Sequence, residues 1–363
     1  MKQSKRILAV LLACVMLIGM GLTGCGKQEG KQETKKEKGQ NKREDVVIAL
    51  SSDMTTFNPI NSATKSDDFV IEQIYDQLYF LNDDGEKVPK LAESYEVKDD
   101  GLTYVFHLKK GVKFQNGEEL KASDVVFTIG LAKESSYTSG YVDQIDNATA
   151  LDDYTVELKL GEPFAPFFEQ ICYLYILNEK AVKDAGDDYE MNPVGTGSYK
   201  LVNYEAGNKV ELTRYDDCYK GKANIKNVTF KIIPDPNTSD VALESGDVDF
   251  SIVSEASVKK AKESGKLELV QCSDGSVTYV IMNTTMEPYN NKYFRQAVNY
   301  AIDRDFIVEA ATEGIAKPTS LMITPEMFGY PEDTKLYDYN PEKAKECLEK
   351  SGLQLPIKIG KIQ

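Results

Sequence analysis

One histidine, a number of adjacent aspartate pairs and four scattered cysteines are the residues of this chain with the chemistry for catalysis or metal binding. His107 is the only imidazole in 363 residues. A triad or a histidine acid–base mechanism would have to use it. The alternation in Tyr104 to Leu108 places it in a strand, with its ring on the polar face. Asp83-Asp84, Asp99-Asp100, Asp152-Asp153 and Asp187-Asp188 sit where turns are expected, and there aspartate serves local hydrogen bonding. No G-x-S-x-G, H-E-x-x-H or G-x-x-x-x-G-K-[ST] string occurs. The reading is therefore of a protein that is not an enzyme, with an extracytoplasmic hydrolase as the remote alternative. Cys172, Cys218, Cys272 and Cys347 are separated by 46, 54 and 75 residues, which match no zinc-site spacing. Disulfides are permitted outside the membrane, but sequence gives no connectivity, and isolated buried thiols satisfy it equally. With one histidine, direct imidazole ligation of a bare metal is disfavoured, and the sequence calls for no cofactor.

The fifth cysteine that matters is Cys25, in Leu22-Thr23-Gly24-Cys25. Lys2, Lys5 and Arg6 precede an uncharged run from Ile7 to Leu22, the n-region and h-region of a signal peptide. At 16 residues the run is shorter than the roughly 20 of a spanning helix. Small residues directly before a cysteine resemble a bacterial lipobox, so Cys25 is expected to be lipidated and to become the mature N-terminus. The alternatives are an uncleaved anchor, or an ordinary secretory signal with a coincidental cysteine. Gly26 to Asp45 contains no aliphatic or aromatic residue and cannot offset its ordering entropy by burial. It reads as a flexible tether, with Glu29, Glu33, Glu37, Glu44 and Asp45 interleaved among the lysines.

Removing the three signal cations from 43 Lys+Arg against 58 Asp+Glu deepens the formal charge from −15 to −18. Nucleic acid and anionic lipid surfaces are poor partners for such a chain. Tyrosine, at 21 residues against 14 Phe and no Trp, is the residue available to line a surface that is part polar and part apolar.

The elements that must position these side chains come next. Val46 to Leu50 reads as a strand running into Phe57-Asn58-Pro59, followed by a helix from Ser66 to Phe80 with Phe69, Val70, Ile74 and Leu78 on one face. Hairpins are expected at Ala92 to Val97 with Thr103 to Leu108, at Ala148 to Leu151 with Tyr154 to Leu160, and at Gly197 to Glu205 with Lys209 to Tyr215. Ser123-Asp124 caps a helix between the first two. From Val228 strand and helix alternate: a strand to Ile233, a helix from Asn237 to Glu244, a strand near Val248 to Ile252, a helix from Ser254 to Glu263, and a strand from Leu267 to Val270. That rhythm predicts an α/β layer with parallel pairing.

Leu91-Ala92-Glu93-Ser94-Tyr95, Asp100-Gly101-Leu102-Thr103-Tyr104, Gly111-Val112-Lys113-Phe114, Asn116-Gly117 and Ala122-Ser123-Asp124-Val125-Val126-Phe127 form an ordered series. It continues with Asn192-Pro193-Val194-Gly195-Thr196-Gly197-Ser198-Tyr199, Leu243-Glu244-Ser245-Gly246-Asp247-Val248-Asp249 and Phe294-Arg295-Gln296-Ala297-Val298-Asn299-Tyr300-Ala301-Ile302-Asp303-Arg304. From about Val46 to its end, the chain resembles the family 5 extracellular solute-binding proteins, the peptide-type binding components of ABC importers. On the residues alone these blocks are scaffold: Gly195 and Gly197 supply backbone angles for a turn, and Arg295, Asp303 and Arg304 form exposed ion pairs.

The resemblance implies an α/β, two-lobe periplasmic-binding-protein-like fold of the class II, cluster C type, with a β-rich insert in the first lobe. Residues 1–24 would be signal, 25–45 lipidated cysteine and tether, 46–66 and 185–275 lobe I, 67–184 the insert, and 276–363 part of lobe II. Family members continue past the strand expected at Leu355 to Ile359, so a second lobe left incomplete is expected here. The implied function is capture of extracellular oligo- or dipeptides by a monomeric lipoprotein on the outer face of the cell membrane. Delivery would be to the transmembrane subunits of an ABC permease, driven by its cytoplasmic ATPases. Same-fold binders of a nickel chelate, haem or an oligosaccharide, and a sensor presenting peptide pheromones, are the alternatives. By position, Thr64, Lys65, Tyr173, Ile252, Val253 and Tyr279 would face the ligand, with Lys65 on a carboxylate and the tyrosines stacking or hydrogen-bonding.

Overall fold

The computed structural model describes residues 43–82, 85–98, 100–271, 275–312, 314–325, 330–331 and 337–354. Cys25 with the signal, the tether up to residue 42, Asp83, Asp84, Asp99, Cys272 and the strand expected at Leu355 to Ile359 lie outside the described residues. The last three residues of the expected tether belong to the fold, since Arg43 pairs with Asp249 and Asp45 opens the first strand. The chain divides into two compact units, the first ending at Ile252 and the second beginning at Val253.

Two four-stranded sheets organise the first unit. β1 (Asp45–Leu50) pairs in parallel with β10 (Asn227–Ile232), which continues antiparallel through β9 (Lys209–Arg214) to β8 (Tyr199–Glu205). The parallel pair is possible because the whole insert lies between its strands in sequence. The β8–β9 hairpin forms as the sequence predicts, with Gly207 at φ 70° in its turn. The expected strand at Val248 to Ile252 reduces to one parallel bridge, Ile48 to Phe250, held by Ala49 N donating to Phe250 O at 2.9 Å. Leu267 to Val270 forms no strand among the described residues.

The second sheet has the order β4 (Ala92–Val97), β5 (Thr103–Leu108), β7 (Thr155–Leu160), β6 (Ile145–Asp152), all antiparallel. β5 is interior to this sheet, so Val105, Phe106 and Leu108 are all buried, while Val97 on the edge strand β4 is exposed. Strict alternation therefore failed at both positions. Phe106 joins Tyr79, Tyr95 and Phe168 in an aromatic cluster, with Tyr79–Tyr95 and Tyr79–Phe168 edge to face. α2 (Ala122–Glu134) packs against β6 and β7 and buries Val125, Ile129 and Ala132. Its Asp124 accepts from Lys121 N at 2.8 Å and from Glu179 N at 2.9 Å, joining the starts of two helices. β2 (Tyr79–Leu81) and β3 (Lys87–Pro89) form a small separate hairpin.

α1 (Lys65–Ile74) ends six residues before the expected Phe80. The carbonyl of Ile74 is taken by Gly197 N at 2.8 Å and by Gln115 Nε2 at 3.2 Å, so the helical ladder stops there. Its cap is Thr64, not Ser66: Thr64 Oγ1 accepts from Asp67 N at 3.1 Å, and Ser66 is engaged by the Ser52 hydroxyl at 2.9 Å. The buried face carries Asp67, Val70, Ile71 and Ile74, which leaves Phe69 exposed.

The first unit also carries α3 (Phe167–Ile171), α4 (Glu179–Ala185) and α5 (Pro236–Ser245), and in the second unit α6 (Glu255–Ser264), α7 (Lys292–Ala301), α8 (Arg304–Thr312) and α9 (Pro341–Ser351) are the described helices. α7 packs against α9, and Asn291 Nδ2 donates to Ser351 O at 2.8 Å. Among the described residues the expected exposed ion pairs do not form. Arg295 Nη1 donates to Tyr289 O and Asn290 O, Arg304 donates to Asn299 and Tyr337, and Asp303 accepts from Phe306 N. Both arginines satisfy carbonyls left over at helix and loop ends, where guanidinium's several donors are most useful. Among the described residues no helix is long and apolar enough to cross a membrane.

Candidate functional site

The loop between β1 and α1 is unusually well fixed for a loop. Asp53 accepts from Met54 N, from the Tyr204 hydroxyl at 2.9 Å and from Gly207 N at 2.7 Å. Burial, then Asp53 itself, pushes the Tyr204 hydroxyl up to about 12. Glu190 accepts from Thr56 Oγ1, from Asn58 Nδ2 at 2.9 Å and from Asn61 Nδ2 at 2.7 Å. Asp67, fully buried in the first turn of α1, accepts from Thr55 N at 2.8 Å and Thr55 Oγ1 at 2.5 Å. Two carboxylates from other segments, Glu190 and Asp67, thus hold residues 55–61, while Asp53 within the loop ties it to the β8–β9 hairpin, and together they deliver the chain to Thr64 in one geometry.

A second segment, Cys172 to Leu177, lies against the end of α1. Gln77 and Tyr175 form an antiparallel bridge, and Ile176 N donates to Asp76 O at 3.0 Å. Its residues alternate: Cys172, Leu174 and Ile176 are buried, whereas Tyr173 is exposed and Tyr175 half-buried. Tyr173 stacks on Tyr141 with ring centroids 5.6 Å apart and 27° between planes. Burial raises the Tyr141 hydroxyl pKa, and the Asp68 charge adds to it. Tyr175 is raised by burial, then by Glu72 and Asp68. The carboxyl of Glu72 is itself raised, first by desolvation and then by Asp68 one turn away. The charges of Asp68 and Glu72 on the exposed face of α1 therefore act on Tyr175, that of Asp68 acts on Tyr141, and Tyr173 joins them through its stacking on Tyr141. Burial also pushes the Cys172 thiol behind Tyr173 up to about 12, so it stays protonated and inert.

Of the residues expected from sequence, Thr64 is the half-buried N-cap of α1, Lys65 is its exposed first residue, and Tyr173 belongs to the tyrosine face just described. Ile252 is 70% exposed at the end of the first unit. Val253 and Tyr279 belong to the second unit, where Tyr279 is exposed in an irregular stretch with Val280 and Ile281. Tyr141, Tyr175, Asp68 and Glu72 were not singled out from sequence. The period-two pattern of Cys172 to Ile176 would have paired Tyr175 with Tyr173, and the four-residue spacing would have paired Asp68 with Glu72. Nothing local marks Tyr141, which arrives from a short 3₁₀ turn at Ser139–Tyr141. Among the described residues no three His, Cys, Asp or Glu side chains are grouped to hold a metal ion.

The scaffold blocks prove to be close-approach sites. An added Cβ at Gly195 would stand 2.0 Å from Ile74 O, and one at Gly197 would stand 2.4 Å from Gln73 O. Neither glycine has a positive φ, so the expected turn angles are not the reason for them; contact with the end of α1 is. Gln115 completes this junction: its Nε2 donates to Tyr199 O at 2.7 Å, and its Oε1 accepts from Gly195 N at 3.3 Å.

The sequence model described as bacterial extracellular solute-binding proteins, family 5 Middle, matches residues 86–361. The glutathione-binding protein GsiB of Salmonella paratyphi A is 31% identical over 316 residues, covering 85% of this chain and 61% of that protein. Two solved structures are similar at 28% identity. The ABC transporter substrate-binding protein CtaP of Listeria monocytogenes has a TM-score of 0.78 over 86% of this chain and 66% of its own. The oligopeptide-binding protein AppA of Bacillus subtilis, in complex with a nonapeptide, has 0.75 over 85% and 64%. The chain thus spans less than two thirds of the length of these relatives.

Proposed function

The chain belongs to the bacterial extracellular solute-binding proteins of family 5, and from that premise we propose that it captures peptides outside the cytoplasm for delivery to an ABC permease. The observation that carries the peptide reading is the preformed tyrosine face. Tyr173 is 60% exposed and stacked on Tyr141, beside Tyr175 and the carboxylates of α1, on backbone already latched by hydrogen bonds. Rigid tyrosines give contact area and a hydroxyl at little entropy cost, which suits ligands that vary in side chain. The similarity to AppA, solved with a nonapeptide, supports the same ligand class. Thr64, Lys65, Ile252, Val253 and Tyr279 are proposed as further contacts. The protein is a binder, with transport driven by the permease's ATPase.

Native mass spectrometry of the purified protein with its co-isolated ligand tests this. A peptide is expected; a metal chelate, haem or oligosaccharide with no peptide would overturn the assignment, and hydrolysis of a peptide panel would overturn the non-enzymatic reading. Tyr173→Ala is expected to weaken peptide binding about tenfold, a loss of about 1.4 kcal/mol, with an unchanged melting temperature.

Cys25 is proposed as the lipid anchor and residues 26–42 as the tether that keeps the binder near its permease, raising the effective concentration. Cys25→Ser is expected to move the protein from the membrane fraction to the soluble fraction without altering ligand affinity. Retention of that variant at the membrane would show instead that the N-terminal apolar segment is the anchor.

A further inference from the structure

Asp76 lies one residue beyond the hydrogen-bonded end of α1 and is 3% exposed. Its Oδ1 is 2.8 Å from Lys220 Nζ, and its Oδ2 accepts from the Thr196 hydroxyl at 3.2 Å. Its carbonyl accepts from Ile176 N at 3.0 Å. Tyr219 has two cations near its ring, with Lys109 Nζ 5.6 Å and Lys220 Nζ 5.7 Å from its centroid. The Tyr219 hydroxyl is buried, and its pKa is raised by that burial and by Asp76 beside it. One residue therefore binds three separate segments to the end of α1: the tyrosine-bearing stretch 172–177, the Gly195–Tyr199 block, and the loop carrying Tyr219 and Lys220.

Both carboxylate oxygens are engaged and the side chain is buried, so Asp76 has nothing to offer a ligand directly. We infer that the Asp76–Lys220 pair is a positioning device that fixes the tyrosine-bearing stretch against α1, and so sets the geometry of Tyr173 and Tyr175. This rests on the proposed ligand face for its functional meaning. The physical reason lies in direction. A close apolar contact tolerates sliding by a fraction of an ångström, whereas a carboxylate with a cation on one oxygen and a hydroxyl on the other fixes its own orientation, and with it the backbone that carries it. The backbone it carries is the one that pairs with Tyr175 and Ile176.

Native-state hydrogen exchange on the full chain tests the inference without any ligand. Lys220→Met keeps the unbranched apolar stem of the side chain and removes its charged tip. It is expected to speed exchange of the Ile176 amide by about a hundredfold relative to the amides of the β5–β7 pairing, while Lys220→Arg leaves the ratio near the parent value. Thr196→Val, a milder loss at the other oxygen, is expected to show the same local pattern and serves if Lys220→Met does not fold. Uniform acceleration at all amides, or none at Ile176, would overturn the inference. Binding of tetra-alanine by calorimetry adds the functional arm: Lys220→Met is expected to bind at least tenfold more weakly than the parent, and unchanged affinity would refute the positioning role. If the parent does not bind tetra-alanine at all, that counts against the peptide reading, while hydrogen exchange still decides the role of Asp76.

Discussion

Gly195→Ala is expected to cost the fold at least about 3 kcal/mol, a fall in melting temperature of roughly 6–12 °C for a unit of this size. The new Cβ would meet Ile74 O at 2.0 Å, Ile74 C at 2.7 Å and the Tyr75 ring at 2.9 Å. Two of those three are backbone atoms, which cannot step aside as a flexible side-chain tip can. The chain can relieve the clash only by withdrawing residues 195–199 from the end of α1. That would break Gly197 N to Ile74 O and the bonds of Gln115 to Gly195 and Tyr199, leaving buried carbonyls unpaired. Gly197→Ala is expected to behave alike, since its Cβ would meet Gln73 O at 2.4 Å. Gly117→Ala is a useful contrast: at φ 90° it is strained, but open space surrounds it, and a loss of about 1 kcal/mol is expected. Calorimetric melting of the three variants decides the matter. A Gly195→Ala melting point within about 2 °C of the parent would mean that the strand does not bear on the helix as described.

Asp67→Ala is expected to cost about 3 kcal/mol and Asp67→Asn about half of that. Alanine removes the acceptor for both Thr55 N and Thr55 Oγ1 in a fully buried position, and it also removes a negative charge from the first turn of α1. Asparagine keeps an oxygen for Thr55 N. Its amide can then donate to the threonine hydroxyl, which turns from donor to acceptor at little cost. The two variants separate the hydrogen bonds from the charge. Denaturant unfolding monitored by tyrosine fluorescence gives both values, and equal losses for Asn and Ala would show that charge, not bonding, is what Asp67 supplies. Because Asp67 holds the loop that leads to Thr64, the alanine variant is also expected to weaken ligand binding beyond its effect on stability.

Legibility from sequence followed the range of the interaction. The β4–β5 and β8–β9 hairpins were readable because Asp-Gly and Ala-Gly-Asn turns and the adjoining alternation are contained within a dozen residues. The ordered blocks from Leu91 to Arg304 were enough to place the chain in its family. The end of α1 was not readable, because the groups that take the carbonyl of Ile74 come from residue 115 and residue 197. Val97 is exposed and Val105 buried because one lies on an edge strand and the other inside the sheet, and strand order is not a property of either strand alone. Tyr173 could be nominated by its place in the chain, but Tyr141 could not, since the ring it stacks on is 32 positions away.

What the sequence by itself determined is therefore the membership, the local elements, the anionic character, the absence of a histidine-rich catalytic set, and the expectation of export and anchoring through Cys25. These rest on composition and on motifs whose physics is local. Tertiary structure alone decided that Gly195 and Gly197 serve close approach instead of turn angles, that Arg295 and Arg304 bind carbonyls instead of carboxylates, and that Asp76 holds four segments together. Each of these depends on which distant backbone or side chain comes within about 3 Å, and a hydrogen bond or a steric clash exists only at that range.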